Sequence, residues 1–397
     1  MFDVVTAVPG DPILGLIAQF KRDPNPHKVD LGVGVYRDAH GLTPILRVVK
    51  EAEQRLVDTE VTKTYIGSHG DPRYGDVATR LVLGDGSEVI AAERTTASQT
   101  PGGSGALRLA MDFVAKTLQC TRIWLPDPTW SNHMGTARAA GLAVERYPYV
   151  GADNAFDFDA VLAALKRVPS GNVVLLQACC QNPTGYDPDA EQWTQILEVM
   201  RGRQLLPLLD FAYQGFGTGI DEDARVVRQF ASALDELLIA QSCSKNFGLY
   251  RERAGTFIAI AKDRQKTADV RTCVATLARA NYSHPPWHGA AIVTTVLESA
   301  ELTQRWRGEV DAMRGRIQAM RRAFVAETAR RGMGDRFGRI GGQIGMFSFT
   351  GLTPPEIDRL RDEFGIYMVR NGRINVAGLS DGNVGYVCDA IAHVVGA

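Results

Sequence analysis

Several features that define specialised classes of protein are absent from this sequence of 397 residues. No apolar run approaches the roughly 18 residues that a membrane-spanning helix needs. The formal net charge is only −1, which gives no reason to expect a nucleic acid or an anionic membrane surface as a partner. The N-terminus, M-F-D-V-V-T, has an acidic residue where a signal peptide would carry basic ones.

Cysteine is also sparse. The six cysteines are scattered without a C-x-x-C motif, and the adjacent Cys179 and Cys180 are interpreted as small buried residues rather than a disulfide pair. This pattern is typical of a reduced, cytoplasmic enzyme. The length predicts two domains, or one large domain with an appendage, and the 45% hydrophobic and 22% charged residues are ordinary for a globular protein.

The most informative stretch is 237–253, L-L-I-A-Q-S-C-S-K-N-F-G-L-Y-R-E-R. Its first four residues are apolar and predict a central strand of a covered sheet. Lys245 follows this run, Ser242 and Ser244 flank the lysine, and Arg253 comes shortly after. A lysine beyond the carboxyl end of a strand can act as an amine nucleophile, while hydroxyls and a guanidinium suit a phosphate. Because exposed lysines are the commonest kind, this stretch alone does not establish a Schiff-base site.

Two further predicted strand ends support such a site. The run 205–209 ends at Asp210, and the run 173–176 leads to Asn182 in N-P-T-G. Asp210 lies 35 residues before Lys245 and 28 after Asn182, and each interval fits a βαβ unit of roughly 30 residues. Three parallel strands would then bring an amide, a carboxylate and an amine to one edge of a sheet. Pyridoxal phosphate needs such groups for its aldehyde, its pyridinium nitrogen and its ring oxygen.

A glycine-rich turn, T-P-G-G-S-G-A-L-R at 100–108, is predicted to open a helix. Backbone N–H groups at such a helix N-terminus attract phosphate. The turn does not match G-x-G-x-x-G, which disfavours a nicotinamide cofactor. Glycine-rich turns are mostly structural, but beside the lysine stretch Gly103 and Ser104 become candidates for a phosphate seat.

Trp130 and His133 follow a strand predicted at 122–125. An indole just past a strand end can stack on an aromatic cofactor, although core packing is the alternative. His133 is a candidate to hydrogen-bond Asp210, and a histidine buried in the core is the alternative for this residue. The pair Asp187-Pro188 predicts the cap and first residue of a helix.

The motifs N-P-T-G, D-F-A-Y-Q-G-F and S-K-N-F-G-L-Y resemble the signatures of the class I aminotransferases, specifically their aspartate and aromatic amino-acid branch. The resemblance covers nearly the whole chain, from D-P-I-L-G-L at Asp11 to G-R-I-N-V-A-G at Gly372. It implies the α/β fold of the type I pyridoxal-phosphate-dependent transferases. That fold has a large domain with a mostly parallel central sheet flanked by helices, and a smaller α+β domain made from both chain ends.

The resemblance also implies a division of the chain. We expect the second domain junction inside a long helix, since Val310, Ile317 and Phe324 belong to one apolar helical stripe. The expected parts are an N-terminal arm at 1–12, a small domain at 13–43 and 313–397, and a large cofactor-binding domain at 44–312.

The resemblance assigns catalytic roles to Lys245, Asp210 and Tyr213. Lys245 would hold pyridoxal phosphate as a Schiff base and move a proton between substrate and cofactor, and Asp210 would keep the ring nitrogen protonated. Tyr213 and Asn182 would hydrogen-bond the ring oxygen. The residues expected to bind the cofactor are Tyr65 (from a second subunit), Gly103, Ser104, Trp130, His133, Asn182, Asp210, Tyr213, Ser242, Ser244, Lys245 and Arg253.

Two arginines are expected to bind the substrate. Arg373 would clamp the α-carboxylate, and Arg279 would reach from one subunit into the site of the other and bind a side-chain carboxylate. The resemblance therefore implies a homodimer with shared active sites. The residues expected to bind the substrate are Gly34, Trp130, Asn182, Arg279 and Arg373.

A metal site is not expected. His284 and His288 are four residues apart, as on a metal-binding helix, but Pro285 and Pro286 between them would break such a helix. The roles of His284 and its neighbour Trp287 stay open.

The expected function is transamination of tyrosine, phenylalanine, aspartate and glutamate, with 2-oxoglutarate or oxaloacetate as amino acceptor. Arg279 favours dicarboxylates, Ser104 resembles the aromatic branch, and Val35 and Thr43 resemble the aspartate branch. A strict aspartate aminotransferase is the alternative. A β-lyase with the same cofactor or a non-catalytic protein on this scaffold is less favoured.

Overall fold

A computed structural model gives the structure, which describes residues 1–6 and 12–397. Residues 7–11 of the arm expected at 1–12 lie outside the described residues. The chain forms two compact units, one made of Met1–Leu42 with Arg316–Ala397 and the other of Thr43–Gly315. We call them the terminal unit and the central unit. Among the described residues, none of the helices combines the length and apolar character required to span a membrane.

The strands of the described residues are numbered in chain order. They are β1 (Val29–Asp30), β2 (Thr95–Pro101), β3 (Arg122–Asp127), β4 (Ala143–Pro148), β5 (Val173–Gln177), β6 (Leu206–Phe211), β7 (Leu237–Ser242), β8 (Ala254–Ile260), β9 (Phe347–Phe349), β10 (Ile366–Tyr367) and β11 (Arg373–Asn375).

The α-helices are numbered in the same way. They are α1 (Pro12–Arg22), α2 (Arg47–Thr59), α3 (Pro72–Leu83), α4 (Glu88–Ala91), α5 (Gly102–Asp112), α6 (Asn132–Ala139), α7 (Phe158–Leu165), α8 (Ala190–Gly202), α9 (Ile220–Asp223), α10 (Arg225–Ala233), α11 (Arg264–Asn281), α12 (His288–Leu297), α13 (Ala300–Arg330), α14 (Gly334–Phe337), α15 (Pro354–Phe364) and α16 (Val384–Val395).

The central unit is built on a seven-stranded sheet in the order β2-β8-β7-β6-β5-β3-β4. Only β8 runs antiparallel to its neighbours, and the pairs from β7 to β4 are parallel. Every residue of β5, β7 and β8 is buried, as expected for strands covered on both faces. The α/β fold with a mostly parallel sheet flanked by helices is therefore confirmed.

Helix α5 packs on β2, β7 and β8, and it contributes its apolar face to the core of the central unit. Leu107 and Met111 of this face are fully buried, and Val114 follows them in the core. The N-terminus of α5 directly follows the end of β2 in the chain. The position of this helix end matters for the site described below.

The terminal unit combines short strands with helices. β1 pairs with β10 in parallel, and β9 pairs with β11 in antiparallel fashion. Helix α15 begins with a capping box: the Thr353 hydroxyl accepts from the Glu356 N–H, and the Glu356 carboxylate accepts from the Thr353 N–H. The boundary between the units falls within the long helix α13.

One local prediction is wrong. The helix expected to start at Asp187-Pro188 begins at Ala190, and its cap is Asp189, which forms a capping box with Gln192. Asp187 instead accepts hydrogen bonds from backbone N–H groups of the preceding loop. Both aspartates suit a helix cap by residue type. Asp187 is not the cap because its carboxylate accepts hydrogen bonds from the loop, and Asp189 caps the helix instead.

Candidate active site

Three polar residues lie just beyond or near the carboxyl ends of three adjacent parallel strands. β5 ends five residues before Asn182, β6 contains Asp210 next to its last residue, and β7 ends three residues before Lys245. The strands are neighbours in the order β5-β6-β7. Since carboxyl ends of parallel strands share one edge of a sheet, the amide, the carboxylate and the amine are presented at the same edge.

Tyr213 contacts two of these groups. The Lys245 Nζ atom lies 4.5 Å from the centroid of the Tyr213 ring. The Asn182 amide donates to the Tyr213 hydroxyl at 3.5 Å, and both side chains are buried. The ring of Tyr213 therefore connects the amine and the amide at the sheet edge.

Asp210 is held by a short chain of hydrogen bonds. Its Oδ2 atom lies 3.0 Å from Nε2 of the fully buried His133, and Nδ1 of that ring lies 2.8 Å from the Thr129 hydroxyl. The indole of Trp130 packs edge-on against His133, with ring centroids 5.3 Å apart. A carboxylate that is only 7% exposed needs such partners, because an unpaired buried charge is costly. The chain orients one carboxylate oxygen towards His133.

Gln177 is a site residue that the sequence did not reveal. Its buried amide pairs with the backbone of Asn182 on both sides: Nε2 donates to the Asn182 carbonyl at 3.2 Å, and Oε1 accepts from the Asn182 N–H at 3.0 Å. The same Nε2 lies 3.4 Å from the Thr129 hydroxyl. Gln177 thus links the loop of Asn182 to the chain that holds Asp210. The available signal was a polar residue at the end of the apolar run V-V-L-L.

Asp187 secures the other side of this loop. Its carboxylate accepts from the N–H groups of Cys180 at 2.6 Å and Gln181 at 2.9 Å. Burial raises the pKa of the Asp187 carboxyl to about 6, although these two N–H groups act in the opposite direction. Cys180 adopts φ +54°, a backbone conformation that L residues rarely take. Asp187 therefore stabilises a sharply bent segment next to Asn182.

The N-terminus of α5 forms a cradle that depends on glycine. Gly102 has φ +70°, and a Cβ there would lie 2.5 Å from Nη2 of Arg253. A Cβ at Gly103 would lie 2.9 Å from the Ser242 Cβ atom. Glycine at both positions lets the guanidinium and the hydroxyl residue approach the helix end, which no larger residue would allow.

The donors around this cradle suit a phosphate. Nη1 of Arg253 lies 3.4 Å from the Ser244 hydroxyl, and Ser104 stands in the first turn of α5. A helix N-terminus, a guanidinium and hydroxyl groups are the donors that phosphate groups prefer in proteins. The residues at this cradle therefore fit the phosphate of the expected cofactor, and the sheet edge supplies the groups that its ring requires.

Tyr65 and Arg279 form a second group, on the surface of the central unit. The Tyr65 side chain is 91% exposed and stacks on His284, with ring centroids 4.7 Å apart. Arg279, near the end of α11, donates to the Ser283 hydroxyl at 2.8 Å. All four residues line a cavity of about 780 Å³.

Gly34 and Arg373 belong to the terminal unit. Arg373, on β11, is only 4% exposed; it donates to the Gly32 carbonyl at 2.5 Å and lies 4.3 Å from the centroid of the Phe347 ring. A Cβ at Gly34 would come within 3.0 Å of the same ring. Arg373 is thus a buried, positioned guanidinium rather than a surface charge, and glycine at position 34 leaves room for Phe347.

One group of potential metal ligands exists among the described residues, and it differs from the histidine pair considered above. Cys179, Cys180 and Asp223 place their ligand atoms within 4.8 Å of one another. The Asp223 carboxylate, however, already accepts hydrogen bonds from the N–H groups of Gly215 and Thr218, among others. We assign no metal to this group.

Comparisons with known proteins agree with this geometry. The family model described as "Aminotransferase class I and II" matches residues 26–391. An aromatic-amino-acid aminotransferase of Pseudomonas aeruginosa is 53% identical over 393 residues, covering 99% of this chain and 98% of the relative. An aspartate aminotransferase of Escherichia coli is 46% identical over 396 residues, covering 100% of both chains.

A solved structure is similar over the same extent. The aromatic-amino-acid aminotransferase of Burkholderia pseudomallei, covalently bound to pyridoxal phosphate, superposes with a TM-score of 0.96 at 44% identity. The alignment covers 99% of each chain. The similarity therefore extends through both units of this chain.

Proposed function

The chain belongs to the family of class I and II aminotransferases, and on this premise we propose that it exchanges amino groups between aromatic or dicarboxylic L-amino acids and 2-oxo acids. It is an aminotransferase, and its cofactor is pyridoxal phosphate. The proposed acceptors are 2-oxoglutarate and oxaloacetate.

The observation that carries the proposal is the edge of the central sheet. Asn182, Asp210 and Lys245 come from three adjacent parallel strands, and Tyr213 contacts both the amide and the amine. An amine that binds an aldehyde, a carboxylate for a pyridinium nitrogen and an amide for a ring oxygen are the groups that pyridoxal phosphate requires.

We assign the cofactor contacts to this chain as follows. Asp210, ordered by His133, would pair with the ring nitrogen, Asn182 and Tyr213 would donate to the ring oxygen, and Trp130 would cover the ring face. When bound, the cofactor supplies an electron sink that stabilises negative charge at the substrate Cα. The phosphate would be held by Gly103, Ser104, Ser242, Ser244 and Arg253, with Tyr65 from a second subunit.

Lys245 would have two duties. Its amine would bind the cofactor aldehyde in the resting enzyme, and after substrate has displaced it, the same Nζ atom would move the proton from the substrate Cα to the cofactor. The ring of Tyr213, 4.5 Å from Nζ, limits the directions in which the amine can move.

Arginines would select the substrate. We assign Arg373 to the α-carboxylate and Arg279, from the second subunit, to a side-chain carboxylate, with Gly34, Trp130 and Asn182 completing the substrate contacts. A planar guanidinium can bind a carboxylate through two parallel hydrogen bonds, which makes both assignments chemically suitable.

The substrate range is tested by kinetics with the purified holoenzyme. We expect measurable kcat/KM values for aspartate and also for tyrosine and phenylalanine, with 2-oxoglutarate as acceptor. The relatives include both aromatic-amino-acid and aspartate aminotransferases, which favours this dual range. Aromatic values near zero would leave the alternative, a strict aspartate aminotransferase.

We further propose a homodimer with shared active sites. Val57, Val61 and Tyr65 are 72%, 94% and 91% exposed, and such apolar exposure on adjacent segments favours a protein partner. The elution mass on a sizing column at several protein concentrations tests this, and a monomer throughout would contradict it. A cytoplasmic location is also proposed, from the scattered cysteines without a disulfide pattern, and cell fractionation tests it.

A further inference from the structure

We propose that Gln99 is a positioning residue of the shared active sites: its buried amide holds the segment that carries Tyr65 against the segment that follows Arg279. Both side chains would thereby be presented together to the second subunit. The inference rests on the roles proposed above for Tyr65 and Arg279. It concerns only contacts within the central unit, which the structure shows directly.

Gln99 lies on β2 and has 0% exposure. Its Oε1 atom accepts from the Asp71 N–H at 3.1 Å, and its Nε2 atom donates to the Pro286 carbonyl at 2.6 Å. The Gln99 N–H also donates to the His69 carbonyl at 2.8 Å. The Gln99 side chain therefore accepts a hydrogen bond from the segment after Tyr65 and donates one to the segment after Arg279.

The backbone of the first segment lies directly against Gln99. Gly70 has φ +81°, and a Cβ at this position would come within 2.3 Å of the Gln99 Cβ atom. Only glycine permits such a conformation and approach. The contact fixes the position of the segment against β2, five residues after Tyr65.

Two further hydrogen bonds join the same pair of segments. The Trp287 indole donates to an Asp71 carboxylate oxygen at 3.3 Å, and Nδ1 of His284 donates to the Ile66 carbonyl at 2.9 Å. These contacts give roles to the two residues that the sequence left open. Gln99 is the residue of β2 whose side chain bonds to both segments, while His69 of the first segment also contacts the Ser98 hydroxyl of β2.

The proposed functional side chains sit next to these bonds. Tyr65 stacks on His284, and Arg279 donates to Ser283, the residue before that histidine. An exposed segment is expected to open locally at low free energy unless buried bonds restrain it. Because catalytic and binding groups lose efficiency when displaced by about 1 Å, restraint of both segments by one amide affects both proposed functions.

The test replaces the amide without changing its size much. We expect Gln99→Met to raise the dissociation constant for pyridoxal phosphate about tenfold, measured by titrating the cofactor-free protein. The kcat/KM for aspartate should fall by about tenfold, while that for phenylalanine falls less. Faster amide hydrogen exchange at 66–71 and at 282–288 is the structural readout, and it does not depend on activity.

Gln214→Met is the matched control. Gln214 is also buried, but its Nε2 atom donates to the carbonyls of Leu81 and Ile220. We expect this variant to lose stability without faster exchange at the two segments and without a change in the ratio of aspartate to phenylalanine kcat/KM. If Gln99→Met does not fold, Trp287→Phe removes a single bond between the segments and should shift exchange and cofactor affinity in the same direction, by about threefold.

Two failures can be told apart. Wild-type protein without transamination would overturn the proposed function, while hydrogen exchange would still test whether Gln99 holds both segments. An active wild type, combined with a folded Gln99→Met variant of unchanged exchange, cofactor affinity and substrate ratio, would overturn this inference alone. Where Gln99→Met cannot be purified, unchanged hydrogen exchange and unchanged cofactor affinity in Trp287→Phe would overturn the inference.

Discussion

The edge of the central sheet and the surface segments around Tyr65 and Arg279 place their side chains by different means. At the sheet edge, Asp210 lies at the end of one strand and Lys245 follows another, and both strands are almost wholly buried and paired on both sides. On the surface, Tyr65 is 91% exposed, and a few side-chain hydrogen bonds hold its segment in position.

This difference predicts different consequences of mutation. A residue at a strand end takes its position from the backbone of the sheet, so that replacing it removes a chemical group from an otherwise intact site. A residue on an exposed segment depends on bonds made by other side chains, so that affinity and selectivity can change without loss of the reaction itself. Three experiments examine this contrast, in order of decreasing expected effect.

The largest effect is expected at the sheet edge, for Lys245→Ala. Turnover should fall at least about 10³-fold, because the variant loses both the amine that binds the cofactor and the group that moves the proton. The exposed Lys262 serves as a control, and Lys262→Ala should keep wild-type rates. Full activity in Lys245→Ala would refute the assignment of the reactive amine.

A selective effect is expected on the surface, for Arg279→Ala. The kcat/KM for aspartate should fall by about 30- to 10³-fold, since loss of a charge pair with a bound carboxylate costs about 2–4 kcal/mol. Phenylalanine, which has no side-chain carboxylate, should lose far less. Arg264→Ala, at the exposed start of the same helix α11, is the control. Equal losses for both substrates would place Arg279 outside side-chain recognition.

The smallest effect concerns stability near the sheet edge and depends on pH. Burial raises the pKa of Asp187 to about 6, so the folded protein holds this proton more tightly than the unfolded chain. Its contribution to stability is present below about pH 4 and is lost as the pH rises through about 6. Between pH 4 and 7 the unfolding free energy of the wild type should fall by about 2 kcal/mol relative to Asp187→Asn.

Urea unfolding at several pH values measures this difference. Asp159→Asn changes an exposed carboxylate in the first turn of α7 and serves as the control variant. Parallel curves for the wild type and Asp187→Asn would show that ionisation of this carboxyl is not coupled to folding. The buried loop beside Asn182 would then be no more sensitive to pH than the exposed surface.

Local patterns explain both the success and the failure of sequence-based prediction for this chain. The runs before Asn182, Asp210 and Lys245 are apolar and of strand length, and they are adjacent parallel strands in the sheet. The helix start assigned to Asp187 was wrong because Asp189 suits a cap equally well. Only the N–H groups of the folded loop show which aspartate is needed elsewhere.

The sequence by itself determined the strand ends, the glycine-rich helix start and the family, because each is written in contiguous residues with a fixed spacing. Tertiary structure alone decided the contacts of Gln99, whose partners Asp71 and Pro286 are 28 and 187 residues away. Hydrogen bonds between distant segments produce no periodic pattern in the sequence and require no particular local composition. They exist only once the sheet has brought those segments together, so no local pattern could have revealed them.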